Sequence, residues 1–129
     1  MVISFCCGKG GTGKTTSTYN IGAALAQAGK RVLLVDNDQQ GSLTLAMGYE
    51  PQMLSMTLAN LMFQAIDMPE QLEQSVEQTI QKTTKNLHLI PANNKLAGTL
   101  SRLVSMQNTR AMFPLDDGSI APERVLSAI

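Results

Sequence analysis

A chain of 129 residues with ten acidic and ten basic side chains carries no net charge to attract nucleic acid or anionic lipid. Its length allows one domain at most, and its 43% apolar content is enough for a real core. No apolar run approaches membrane-spanning length, no signal peptide is indicated, and Cys6 and Cys7 fit free thiols in a reducing, cytosolic setting better than a disulfide or a metal site.

Val2-Ile3-Ser4-Phe5-Cys6 is a near-continuous apolar run of strand length, as in a buried parallel strand. The stretch from Cys7 to Thr16 follows it and fits G-x-x-x-x-G-K-[ST], with Gly8, Gly13, Lys14 and Thr15 at the fixed places. Glycines let backbone N–H groups turn inward and approach phosphate oxygens closely. The helix N-terminus that follows adds unpaired N–H groups and a positive dipole end. Lys14 can then reach β- and γ-phosphates, and the Thr15 hydroxyl can ligate Mg²⁺. Gly8, Lys9, Gly10, Gly11, Thr12, Gly13, Lys14, Thr15 and Thr16 are the expected nucleotide contacts. A plain Gly-rich turn is the structural alternative, and the strand–loop–helix context weighs against it.

The spacing predicts a helix from about Lys14 to Ala28, with Ile21, Ala24, Leu25 and Ala28 on one face and Gly29 ending it. Val32-Leu33-Leu34-Val35 is a second β-leaning run that ends at Asp36. Strand, loop, helix and strand make a βαβ unit, so Asp36 and Asp38 share the carboxyl-end rim with the phosphate loop. A bare Asp-x-Asp is a weak signal, which that position strengthens. Ser42 to Pro51 reads as a loop or short helix packing Leu43, Leu45 and Met47. Thr57 caps a helix carrying Leu58, Leu61, Met62, Ala65 and Ile66, and Pro69 opens another that runs to about Gln78. Leu87 to Ile90 forms a third strand, which ends at Pro91. His88 alternates with Leu87 and Leu89 and reads as structural. Lys95 to Met106 is helical, Gln107 to Ala121 carries loop signals, and Pro122 starts a short final helix.

Lys9 is not required by an ordinary phosphate loop. Lys9-Gly10-Gly11-Thr12-Gly13-Lys14-Thr15 resembles the deviant Walker A motif, K-G-G-x-G-K-[ST], of the ParA/MinD group of P-loop ATPases. Asp36-Asn37-Asp38-Gln39-Gln40-Gly41 resembles that group's D-x-D-P-Q-G, with Gln39 in place of the proline, and Leu89-Ile90-Pro91-Ala92-Asn93 resembles a segment common in ParA proteins. The resemblance implies a ParA/Soj-type partition ATPase that uses ATP and Mg²⁺ and forms a homodimer on binding ATP. It implies Lys9, Lys14 and Asp38 as catalytic residues. Lys9 would reach across the dimer interface to the partner's nucleotide, and Asp38 would orient the attacking water. It implies Thr15 and Asp36 at the metal, Asp36 through water. It also implies a ParB-like centromere-binding partner, nonspecific DNA, and a cytoplasmic, nucleoid-associated place in the cell. The membrane-binding helix of a MinD-like protein and the cluster cysteines of a nitrogenase-iron-protein-like one are not found in these residues.

The expected fold is α/β: a P-loop NTPase-like parallel sheet with flanking helices. Residues 1–129 would be a single partial domain that lacks the Walker B strand and the C-terminal half. An apolar strand ending in a Mg²⁺-holding Asp is needed for turnover, and no such run follows Asp36. In the family that strand lies between the first two strands of the sheet. Direct pairing of Val2–Cys6 with Val32–Val35 would instead indicate a complete small domain. A nucleotide-binding remnant without catalysis is the alternative function.

Overall fold

The computed structural model describes residues 1–112, with side chains through Ser105. Its elements are α1 (Lys14–Gln27), β1 (Val32–Val35), α2 (Ser42–Ala46), α3 (Leu58–Asp67), α4 (Leu72–Thr79), β2 (Gln81–Lys82), β3 (Leu87–Ile90) and α5 (Lys95–Met112). Short 3₁₀ turns at Pro51–Met53 and Pro69–Gln71 lead toward α3 and α4. The expectations for 113–129 lie outside the described residues.

The sheet order is β1-β3-β2. β1 and β3 run parallel with Val32 opposite Leu87 and Val35 opposite Ile90. β2 is antiparallel to β3, with Gln81 opposite Leu89 and Lys82 opposite His88. The sheet is therefore mixed, because the chain between α4 and β3 returns through a tight turn in which the Thr84 N–H donates to the Leu87 carbonyl.

Strand alternation divides the core between two faces. Leu34, Leu87 and Leu89 pack with Leu43 on the α1/α2 side. Ile90 packs with Leu58, Leu61, Met62 and Leu96 on the α3/α5 side. The α3 helix starts where the sequence places it: the Thr57 side chain caps the Asn60 N–H, and Asn60 Oδ1 accepts from the Thr57 N–H at 3.0 Å.

Two expectations are corrected. Val2–Cys6 is not a strand, and Val2 is 95% exposed. A strand needs a hydrogen-bonded neighbour, and β1 pairs with β3 alone, so the run has none among the described residues. The Ile21, Ala24 and Ala28 face of α1 is exposed rather than buried. The helix instead lies on the sheet through Gly22, where an added Cβ would come 2.7 Å from Leu34 Cδ2. The flank bearing Ile21 has no sheet beneath it among the described residues.

His88 sits half-buried on β3, and its Nδ1 has no hydrogen-bond partner. Among the described residues, no helix is long and apolar enough to cross a membrane.

Candidate nucleotide site

The site has two parts, both at the carboxyl end of the parallel pair. Asn86 Nδ2, at the start of β3, donates to the Ala26 carbonyl near the end of α1 at 3.3 Å. That contact fixes the C-terminus of α1 at the amino ends of the strands. Its N-terminus therefore points toward the rim where β1 runs into Asp36, and α1 also packs on α2, which follows that rim.

At the N-terminus of α1, Gly13 takes φ 80°, a left-handed conformation open to glycine and strained for other residues, and no side chain caps the helix. Its first N–H groups are therefore unpaired by protein, unlike those of α3, which are closed by the Thr57–Asn60 box. Around Gly8, Gly10, Gly11 and Gly13 an added Cβ would meet nothing within 4 Å, so a ligand can approach the backbone directly. Lys14 Nζ donates to the Lys9 carbonyl at 3.1 Å, and Thr12 Oγ1 donates to the same oxygen at 3.3 Å. The Lys14 ammonium thus lies folded over the loop, while the Lys9 side chain is exposed.

The loop also favours negative charge at Cys7. The Lys9 backbone N–H, hydrogen-bonded to the Cys7 sulfur, holds this thiol below its ordinary pKa. The Thr12 side chain acts in the same direction, desolvation opposes them, and the Lys14 charge adds the smallest lowering. A backbone N–H, a hydroxyl and an ammonium gathered in one loop are the kinds of donor that a phosphate requires. Thr15 and Thr16 continue into α1, with Thr15 half-buried and Thr16 exposed.

The second part begins at the end of β1. Asp36 is 3% exposed, and its N–H donates to the Ile90 carbonyl, extending the parallel pairing by one bond. Its Oδ2 accepts from the Thr44 N–H at 2.8 Å and from Thr44 Oγ1 at 2.7 Å, and its Oδ1 accepts from the Asp38 N–H at 3.2 Å. Asp38 is half-buried; its Oδ1 accepts from the Gln40 N–H and its Oδ2 from the Ser42 hydroxyl. The turn closes with the Gly41 N–H on the Asp38 carbonyl at 2.8 Å, so Gln39 keeps the turn without the fixed φ of a proline. Thr44 was not singled out from the sequence. A Thr eight residues after an Asp carries no local signal, and only the fold joins them.

A family model described as an AAA domain matches residues 1–117. Over 103 residues the chain is 38% identical to the sporulation initiation inhibitor protein Soj of Bacillus subtilis. Over 116 residues it is 33% identical to the chromosome partitioning protein ParA of Caulobacter vibrioides. The chain belongs to the ParA/Soj-type family of deviant Walker A partition ATPases. The alignments cover 80% and 90% of this chain but 38% and 40% of those relatives. Among solved structures, cobyrinic acid a,c-diamide synthase from Mycobacterium smegmatis, with bound ATP analog and magnesium, is 35% identical with a TM-score of 0.65. That likeness covers 77% of this chain and 37% of the synthase chain. The chain thus spans well under half the length of these relatives.

Proposed function

We propose that this chain is the ATP-binding part of a partition ATPase that uses Mg²⁺, dimerises on ATP and hydrolyses its β–γ phosphoanhydride when complete. The observation that carries this reading is the loop: an uncapped helix N-terminus behind a left-handed Gly13, an open glycine backbone, and Lys14 Nζ and Thr12 Oγ1 gathered on the Lys9 carbonyl. The residues present fit a triphosphate. The Gly8 to Gly13 backbone would wrap it, and the N–H groups opening α1 would donate to its oxygens. Lys14 would exchange the Lys9 carbonyl for phosphate oxygen, a stronger, charge-assisted partner. The Thr15 hydroxyl would face the metal. Mg²⁺, when bound, neutralises charge that builds on the phosphates during transfer. The exposed Lys9 is free to reach a second copy's nucleotide, and the half-buried Asp38 carboxylate would orient a water. A ParB-like protein and nonspecific DNA are the partners the family suggests.

A second reading, nucleotide binding without turnover, is favoured for this chain alone by one feature. The run leading into the loop lies outside the sheet. The loop is therefore tied to the Asp38 rim through α1 only, and near-attack geometry is sensitive to sub-ångström placement. ATP binding and hydrolysis should be measured on the 129-residue chain and its Lys14→Ala variant. Binding that weakens at least about tenfold in Lys14→Ala, with weak or absent turnover in both, is expected. Equal binding by the two chains would overturn the assignment of the loop.

A further inference from the structure

We infer that Thr44 is the positioning residue for the Asp38 turn, acting through Asp36, whose carboxylate serves as a structural pin and not as a direct metal ligand. The inference rests on the nucleotide-site reading for its functional meaning, and on hydrogen bonding alone for its structural content.

A carboxylate as buried as Asp36 must be compensated. No lysine or arginine pairs with it among the described residues, where the ion pair is Arg102 with Asp67. Three donors take that place: the Thr44 N–H and hydroxyl on one oxygen, and the Asp38 N–H on the other. The Thr44 hydroxyl is itself fixed at both ends. It donates to Asp36 Oδ2 and accepts from the Ala92 N–H, at the end of β3, at 3.0 Å. Thr44 is fully buried, so water does not substitute for either bond. One hydroxyl therefore ties the carboxyl ends of β1 and β3 to α2.

The turn that carries Asp38 is stapled between these points. Asp36 Oδ1 holds the Asp38 backbone, Thr44 holds Asp36, and Ser42 and the Gln40 N–H hold the Asp38 carboxylate. Moving Asp36 toward a metal would take the acceptor from the Thr44 N–H and hydroxyl together. Two buried donors would then be left to find others, at the penalty of unmade hydrogen bonds. The geometry assigns Asp36 to the fold and leaves Asp38 as the carboxylate that can turn outward.

The test is amide hydrogen exchange, read residue by residue in the 129-residue chain. Thr44→Val removes the hydroxyl at nearly constant volume. It should speed exchange at Asp38 and Gln40 by about tenfold or more while the β3 amides keep their rates. Thr44→Ser restores the hydroxyl and should return both amides toward parent rates. If the valine variant does not fold, Asp36→Asn serves in its place. An amide has one acceptor side, so it cannot hold Thr44 and the Asp38 N–H together, and the same two amides should speed up. Uniform acceleration over the whole sheet, or none at Asp38, overturns the proposal. In a parallel measurement, Asp36→Asn should keep most of the gain in nucleotide affinity that Mg²⁺ gives the parent; complete loss of that gain makes the carboxylate a direct metal ligand and overturns it too. A parent chain that binds no nucleotide removes the functional reading, while the exchange data still decide the pin.

Discussion

Replacing Gly41 by alanine probes the fold and the site at once. Gly41 precedes α2 at φ 65°, and the left-handed region costs an ordinary residue about 1–2 kcal/mol. Its added Cβ would lie 2.9 Å from Pro51 Cγ and 3.0 Å from the Ala92 carbonyl oxygen. Pro51 is a buried ring and Ala92 O is backbone, so neither moves aside as a flexible side-chain tip would. Overpacking of that kind adds about 1–3 kcal/mol, for a total of about 2–5 kcal/mol. Against a stability of about 5–15 kcal/mol, that is a large fraction. Gly98→Ala is the control. Gly98 lies within α5 with nothing near its Cβ position, and alanine there should stabilise by about 0.5–1 kcal/mol. Urea unfolding followed by circular dichroism reads both. With a slope of about 2 kcal/mol per molar, the midpoint should fall by about 1–2.5 M for Gly41→Ala and rise slightly for Gly98→Ala. A Gly41→Ala midpoint within about 0.3 M of the parent would refute the steric reasoning.

Cys7 should alkylate with a pH midpoint below that of an ordinary thiol, because Lys9 N–H, Thr12 and Lys14 favour its thiolate. The sign follows from acid ionisation: a lowered pKa puts the reactive form at lower pH. Iodoacetamide labelling read by mass spectrometry across a pH series checks it, and saturating ATP with Mg²⁺ should slow the reaction. A midpoint at or above the free-thiol value would remove the anion-binding argument for the loop. Arg102→Lys should destabilise by about 0.5–1 kcal/mol in thermal or urea melts, since it gives up a two-pronged bond to Asp67 and stacking over Phe63. Both charged groups are partly exposed, which keeps the figure small, and most of the loss should persist in high salt if stacking dominates.

The parts of this molecule that read directly from sequence are those whose cause is local. Val32–Val35 and Leu87–Ile90 are apolar runs bounded by polar turns, and both are strands. Thr57 with Asn60 three residues on is a capping signal, and α3 begins there. The phosphate loop is contiguous, so spacing alone reveals it. What escaped depends on residues far apart in the chain. Whether Val2–Cys6 joins a sheet depends on a neighbouring strand, which periodicity does not report. Gln81–Lys82 is polar and two residues long, and becomes a strand only because β3 lies beside it. The buried side of α1 was misplaced because Gly22, with no side chain to count as apolar, is the point of closest approach to the sheet. Asp36 was legible as a rim carboxylate, but its partner was not. Thr44 meets it across a turn and meets Ala92 from a third element, a coincidence made by the fold.

The two borders of the sheet are unequal. On one side β2 is a two-residue strand that bears Lys82, a blunt and charged margin that discourages further pairing. On the other, Leu33 and Val35 turn their backbone groups outward from an uncharged margin with no strand beside it among the described residues, and both side chains are about two-fifths exposed. The sheet therefore has a direction of growth. Any strand that joins it, from this chain or another, is received at β1, next to the ends that carry Asp36 and Asp38. Pairing along that edge would then bear directly on the nucleotide site.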